Sequence, residues 1–198
     1  EGPFYLESTA EIIKIAVSKA LVPLIMSLVL QRDVGDMLAK KEIPLRVTHN
    51  DTKLNNVLID DATRKGVCVI DLDTVMPGLV AFDFGDAIRV AASTVDEDEK
   101  DLSKVALDLA KFEAFTRGFV GAVGNMLTDA EKDSLALGAI AMTAECGARF
   151  LTDYLNGDKY FRIHYPEQNY DRAACHLALA RDMLKKLDDM QAIVKKYC

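Results

Sequence analysis

The sequence predicts a mainly helical α+β chain, one domain over residues 1–198. Three observations lead there. From Leu102 onward apolar residues recur at helical spacing in three long blocks. Only two adjacent β-branched runs, Asn56 to Asp60 and Val67 to Leu72, read as a sheet. Neither internal repeats nor low-complexity linkers divide the chain.

Ser8-Thr9-Ala10-Glu11 is a capping-box pattern, and the apolar spacing after it predicts a helix to about Leu30, kinked or divided at Pro23. A short helix over Asp36 to Lys40 ends before Pro44, and Leu45 to Thr48 is extended as it enters a loop at His49. Asp61-Ala62-Thr63-Arg64-Lys65-Gly66 is a polar turn with glycine, so it joins the two β-branched runs as a hairpin. Met76-Pro77-Gly78 reads as a turn and Asp83 to Ala92 as a helix. Asp96 to Glu99 reads as a solvated helix start, favoured by the dipole. The three long helical blocks are Leu102 to Val123, Thr128 to Asn156, opened by the capping box Thr128-Asp129-Ala130-Glu131, and Tyr170 to Tyr197. Gly118, Gly121 and Gly124 lie at helical spacing, as in close helix packing or a fraying end.

The net charge of -7 argues against a general nucleic-acid surface, which needs a basic excess, and fits small-molecule substrates. The apolar run from Ala20 to Leu30 is too short to span a bilayer, and no signal-peptide pattern precedes it. Cys68, Cys146, Cys175 and Cys198 are widely spaced, without a Cys-x-x-Cys pair, and read as reduced thiols of a cytoplasmic protein. His164 and His176 lack partners at metal-ligand spacing and read as surface or helix-packing residues.

Chemistry concentrates between His49 and Asp83. Phosphoryl transfer needs an acceptor for the substrate hydroxyl proton and hard oxygen ligands for magnesium. Asp51 fits the first role, and Asn56 and Asp71 fit the second. A loop aspartate also serves as a turn residue, and an asparagine also satisfies backbone groups. Asp71 ends an apolar strand, where a carboxylate is costly unless paired or metal-bound. His49 reads as a brace for the loop. Asp73 stands open between a second metal, the substrate and solvent, and Lys53 between the transferring phosphate and solvent.

His49-x-Asp51 with Asn56, then Asp71 on the next strand, resembles the aminoglycoside phosphotransferase and choline kinase families. The runs His49 to Asn56, Ile70 to Gly78, Ala81 to Asp86 and Glu145 to Tyr154 look most like the N-acetylhexosamine 1-kinase branch. The resemblance implies a protein-kinase-like carboxy-terminal lobe whose small hairpin carries the catalytic site. It implies ATP- and Mg2+-dependent transfer to the anomeric hydroxyl of N-acetylglucosamine or N-acetylgalactosamine. In that branch Asp51 and Asp71 would also touch substrate, Arg149 and Tyr160 would help hold the sugar, and Asp83 would pin the catalytic loop. For Arg149 a structural salt bridge competes with sugar binding, and Tyr160 is similarly divided. The alternatives are a kinase for another small alcohol (choline, an aminoglycoside, homoserine) and a non-catalytic sugar-binding remnant.

Such kinases also need an amino-terminal lobe with a glycine-rich cover and a strand lysine for the nucleotide. No Gly-x-Gly-x-x-Gly occurs here, so this lobe is expected to be absent and the chain alone to turn over little or not at all. Apolar surface left where that lobe packs would favour self-association.

Overall fold

The computed structural model describes residues 40 and 42–198, so the helices expected before Lys40 lie outside the described residues. Among the described residues four short strands come first: β1 Arg46–Thr48, β2 Val57–Ile59, β3 Gly66–Val69 and β4 Met76–Gly78. Five α-helices follow among them: α1 Val80–Ala91, α2 Leu109–Val123, α3 Asp129–Leu155, α4 Gln168–Lys185 and α5 Leu187–Tyr197. The architecture is α+β and mainly helical.

The β2–β3 hairpin forms where the β-branched runs predict it, with Val57 opposite Val69 and Leu58 opposite Cys68. Its turn is held by Asp60, whose Oδ1 accepts from the Thr63 N–H and hydroxyl at 2.6 Å each. The expectation of a single sheet needs correction. Met76-Pro77-Gly78 is a strand pairing antiparallel with β1, Arg46 opposite Gly78. Pro77, which has no N–H to give a ladder, is tolerated because this two-stranded sheet has only edges. The apolar side chains of both sheets, among them Val47, Leu58, Ile59, Val67 and Met76, are exposed.

The helices carry the core. Phe84 of α1 is fully buried and meets Phe112, Phe115 and Phe119 of α2 edge-on at 5.2–5.8 Å between centroids. This geometry puts ring edges against ring faces. α1 crosses α3 where Gly85 faces the Gly138 main chain and Gly138 faces that of Ala81, with no room for a Cβ on either. α3 opens with both halves of the predicted capping box, and Glu131 of that box also accepts Arg46 of β1 through both carboxylate oxygens at 2.9 Å. The first sheet is thereby tied to the helical layer. α3 is long and apolar enough to cross a membrane, yet 67% of its most apolar window is buried inside the protein, so packing accounts for its composition.

Three further expectations change. The last block breaks at Lys186 into α4 and α5: its N–H closes α4 on the Asp182 and Met183 carbonyls, while its Nζ donates to the Asp182 carboxylate at 2.7 Å and to the Leu107 carbonyl at 2.8 Å. Asp96 to Glu99 is no helix start; it is a loop held on α4 by the Glu97–Arg172 pair at 2.9 Å and by Gln168 donating to Asp98 at 2.8 Å. Tertiary ion pairs fix it, which local charge patterning does not reveal. For the glycines expected in close helix packing or at a fraying end, packing is not the reason at Gly118 and Gly121, which face open space, and Gly124 stands at the end of α2. His176 is buried in the α3–α4 packing, while His164 is exposed.

Candidate active site

The loop between β1 and β2 turns at Asn50, whose backbone is left-handed (φ 62), a conformation asparagine tolerates better than most residues. Asp83, in the first turn of α1, holds that turn. Its Oδ2 accepts from the His49 N–H and its Oδ1 from the Asn50 N–H, each at 2.8 Å. His49 Nε2 meets the Ile70 carbonyl at 3.0 Å, and the Thr74 hydroxyl donates to the His49 carbonyl at 2.7 Å, so the loop is braced from three sides. At Gly78 a Cβ would collide with the side chains of Thr48 and Asn50, which explains the bare backbone there.

Asp51 stands on this support, partly buried. Its Oδ2 accepts from Lys53 Nζ at 2.8 Å and from Asn56 Nδ2 at 2.9 Å, and Asn56 also donates to the Asp51 carbonyl at 2.8 Å. Burial alone would raise the Asp51 carboxyl, but these two donors and the Lys53 charge hold it below the ordinary aspartate value. Oδ1 of Asp51 accepts no hydrogen bond among the described residues, leaving one oxygen for an incoming group.

With Nδ2 of Asn56 committed to Asp51, its Oδ1 is the end turned to other partners. The Ile70 N–H bonds to the Asn56 carbonyl at 2.9 Å, so Asp71 follows one residue after a direct link to Asn56. Asp71 is left-handed (φ 63), exposed, and without a side-chain partner among the described residues. Asn56 Oδ1 and the Asp71 carboxylate are hard oxygen donors, a set that fits magnesium, which keeps several waters and takes few protein ligands. Among the described residues no group of three or more His, Cys, Asp or Glu side chains forms a metal cage.

A cavity of about 820 Å³ opens beside the loop. Asp51 and Lys53 line it together with Arg149 of α3 and Tyr160 of the α3–α4 loop. The Arg149 guanidinium lies 6.0 Å from the Tyr160 ring centroid and 5.5 Å from that of Phe161, within cation–π range. Its carboxylate neighbour Glu145 is 3.8 Å away, a loose pair, and burial raises the Glu145 carboxyl. Asp71 and Asp73 are both exposed and do not line this cavity.

Sequence reasoning missed two contributors on the face of α1 that carries Asp83. Asp86 and Arg89 follow Asp83 at three-residue steps, the spacing that repeats on a helix face and the signal that could have found them. Asp86 binds Arg89 at 2.7 Å, both largely buried, and Asp86 is 3.4 Å from the Thr52 hydroxyl, which also donates to the Asp83 carbonyl. Arg89 lines the cavity and its charge helps keep Asp51 ionised.

Residues 22–116, the span holding His49, Asp51, Asn56, Asp71 and Asp83, match the model of the phosphotransferase enzyme family (APH).

Proposed function

We propose that this chain carries the acceptor and catalytic residues of an ATP- and magnesium-dependent kinase that phosphorylates the anomeric hydroxyl of an N-acetylhexosamine. The observation that supports it is the shared cavity of Asp51, Arg149 and Tyr160, which sets a proton acceptor beside a cation and an exposed aromatic ring. Donors and a ring face suit a hydroxyl-rich, ring-shaped neutral molecule.

Asp51 orients the alcohol through Oδ1 and takes its proton as the alcohol oxygen bonds to the γ-phosphorus and the bond from that phosphorus to the β–γ bridging oxygen breaks, with ADP as the leaving group. Its lowered pKa makes it ionised at neutral pH and a weak base, which suits a loose transition state in which the proton leaves late. Lys53 and Asn56 fix the carboxylate's direction. Asn56 and Asp71 would hold magnesium, which when bound neutralises charge on the nucleotide phosphates. With no Gly-x-Gly-x-x-Gly in the sequence, we expect the chain alone to bind acceptor with little turnover. The four free thiols fit a reducing cytoplasm. The exposed apolar hairpin supports a covering partner, and sedimentation over a concentration series reads whether a second copy fills that place.

Calorimetric titration of the chain with N-acetylglucosamine, N-acetylgalactosamine, choline and homoserine tests the reading. Saturable binding of an amino sugar, weakened in Arg149→Ala, is expected. Binding of choline or homoserine with none of an amino sugar overturns it.

A further inference from the structure

The wall that carries Tyr160 is built on one buried carboxylate. Asp153, in the last turn of α3 and 6% exposed, accepts three successive main-chain N–H groups. Lys159 and Tyr160 donate to its Oδ1 at 3.0 and 2.9 Å, and Phe161 donates to its Oδ2 at 2.9 Å. Among the described residues these three N–H groups have no other hydrogen-bond partner. The approach to the wall turns through two left-handed residues, Gly157 (φ 85) and Asp158 (φ 54).

Asp153 is itself held. Asn169 of α4, fully buried, donates Nδ2 to Asp153 Oδ2 at 3.0 Å and to Asp158 Oδ1 at 2.9 Å, while its Oδ1 accepts from Arg172 at 3.0 Å. Arg149 sits one turn before Asp153 on α3, with its guanidinium over the Tyr160 and Phe161 rings. Phe161 in turn rests on Phe150, centroids 4.5 Å apart. One helix end therefore bears both the cation and the anchor of the rings it faces.

We propose that Asp153, locked by Asn169, is a positioning residue for the acceptor: it fixes the Tyr160–Phe161 wall against Arg149 and so sets acceptor affinity. This rests on the reading of the cavity as an acceptor site. A carboxylate that collects three N–H groups turns an irregular segment into a rigid one, and a ring 75% exposed to solvent has little packing to do that instead. Asp153→Asn replaces one acceptor oxygen by a donor, opposing either the Lys159 and Tyr160 N–H groups or those of Phe161 and Asn169.

The chain has no tryptophan, so Tyr160→Trp installs a single reporter on the wall. In that background Asp153→Asn, and separately the milder Asn169→Ser, are expected to lower the reporter's fluorescence anisotropy well below the unfolding transition. In the Tyr160 protein the same changes are expected to weaken binding of N-acetylglucosamine about tenfold by calorimetry, roughly 1.4 kcal/mol, with Asp153→Glu recovering part of the loss. Reduced anisotropy with unchanged sugar affinity makes the clamp merely structural and overturns the proposal, as does unchanged anisotropy in both variants. If the unmodified chain binds choline or homoserine instead, the amino-sugar reading fails and the same variants are read with that alcohol; if none of these alcohols binds, both readings fall.

Discussion

Asn56 donates through one nitrogen to both the carbonyl and the carboxylate of Asp51, at 2.8 and 2.9 Å, so the candidate metal ligand also fixes the direction of the candidate base. The two roles use opposite ends of the same amide.

Asn56→Ala removes both ends, whereas Asp51→Asn removes no oxygen assigned to the metal. Magnesium titration by calorimetry is expected to show affinity weakened at least about tenfold in the first and nearly unchanged in the second. Equal losses would make Asp51 a ligand.

Asp83→Asn leaves one acceptor oxygen for two N–H groups and points an NH2 at the other. A cost of about 1–3 kcal/mol in unfolding free energy is expected. Hydrogen exchange should localise it, with the His49 and Asn50 amides exchanging faster while α2 and α5 stay protected.

Gly138→Ala puts a Cβ into the Ala81 main chain at the crossing of α1 and α3. Backbone cannot move aside as a side chain can, so a loss of about 1–3 kcal/mol or more is expected by denaturant titration. Gly118→Ala, facing open space in α2, is expected to be neutral or to stabilise by up to about 1 kcal/mol.

Burial, and then the charge of Arg89, push His176 down to about 4 from 6.5. Because the folded value is the lower one, the unfolded chain binds more protons between these values, and stability falls as pH drops from about 6.5 towards 4. His176→Gln should flatten that fall by about 3 kcal/mol at pH 4. Parallel denaturation midpoints against pH in the two proteins would remove His176 as the cause.

The part of the candidate site that sequence alone determined runs from His49 to Asp83, because its contacts join residues of one loop, one hairpin and the helix start that follows. Asp51 and Asn56 are five apart and bonded directly. The hairpin, the α3 capping box and the mainly helical balance are equally local, resting on alternation, turn chemistry and helix period. Tertiary structure decided what spacing cannot express. It made Met76–Gly78 a strand by laying it against Arg46–Thr48, and it drew Asp96 to Glu99 onto α4 through Arg172 and Gln168. It also brought Arg149 and Tyr160 to the cavity of Asp51, since the glycine contact of α1 with α3 lets two helices far apart in sequence approach closely. A residue's neighbours along the chain follow from covalent geometry, whereas its neighbours across the core follow from which surfaces can exclude water together.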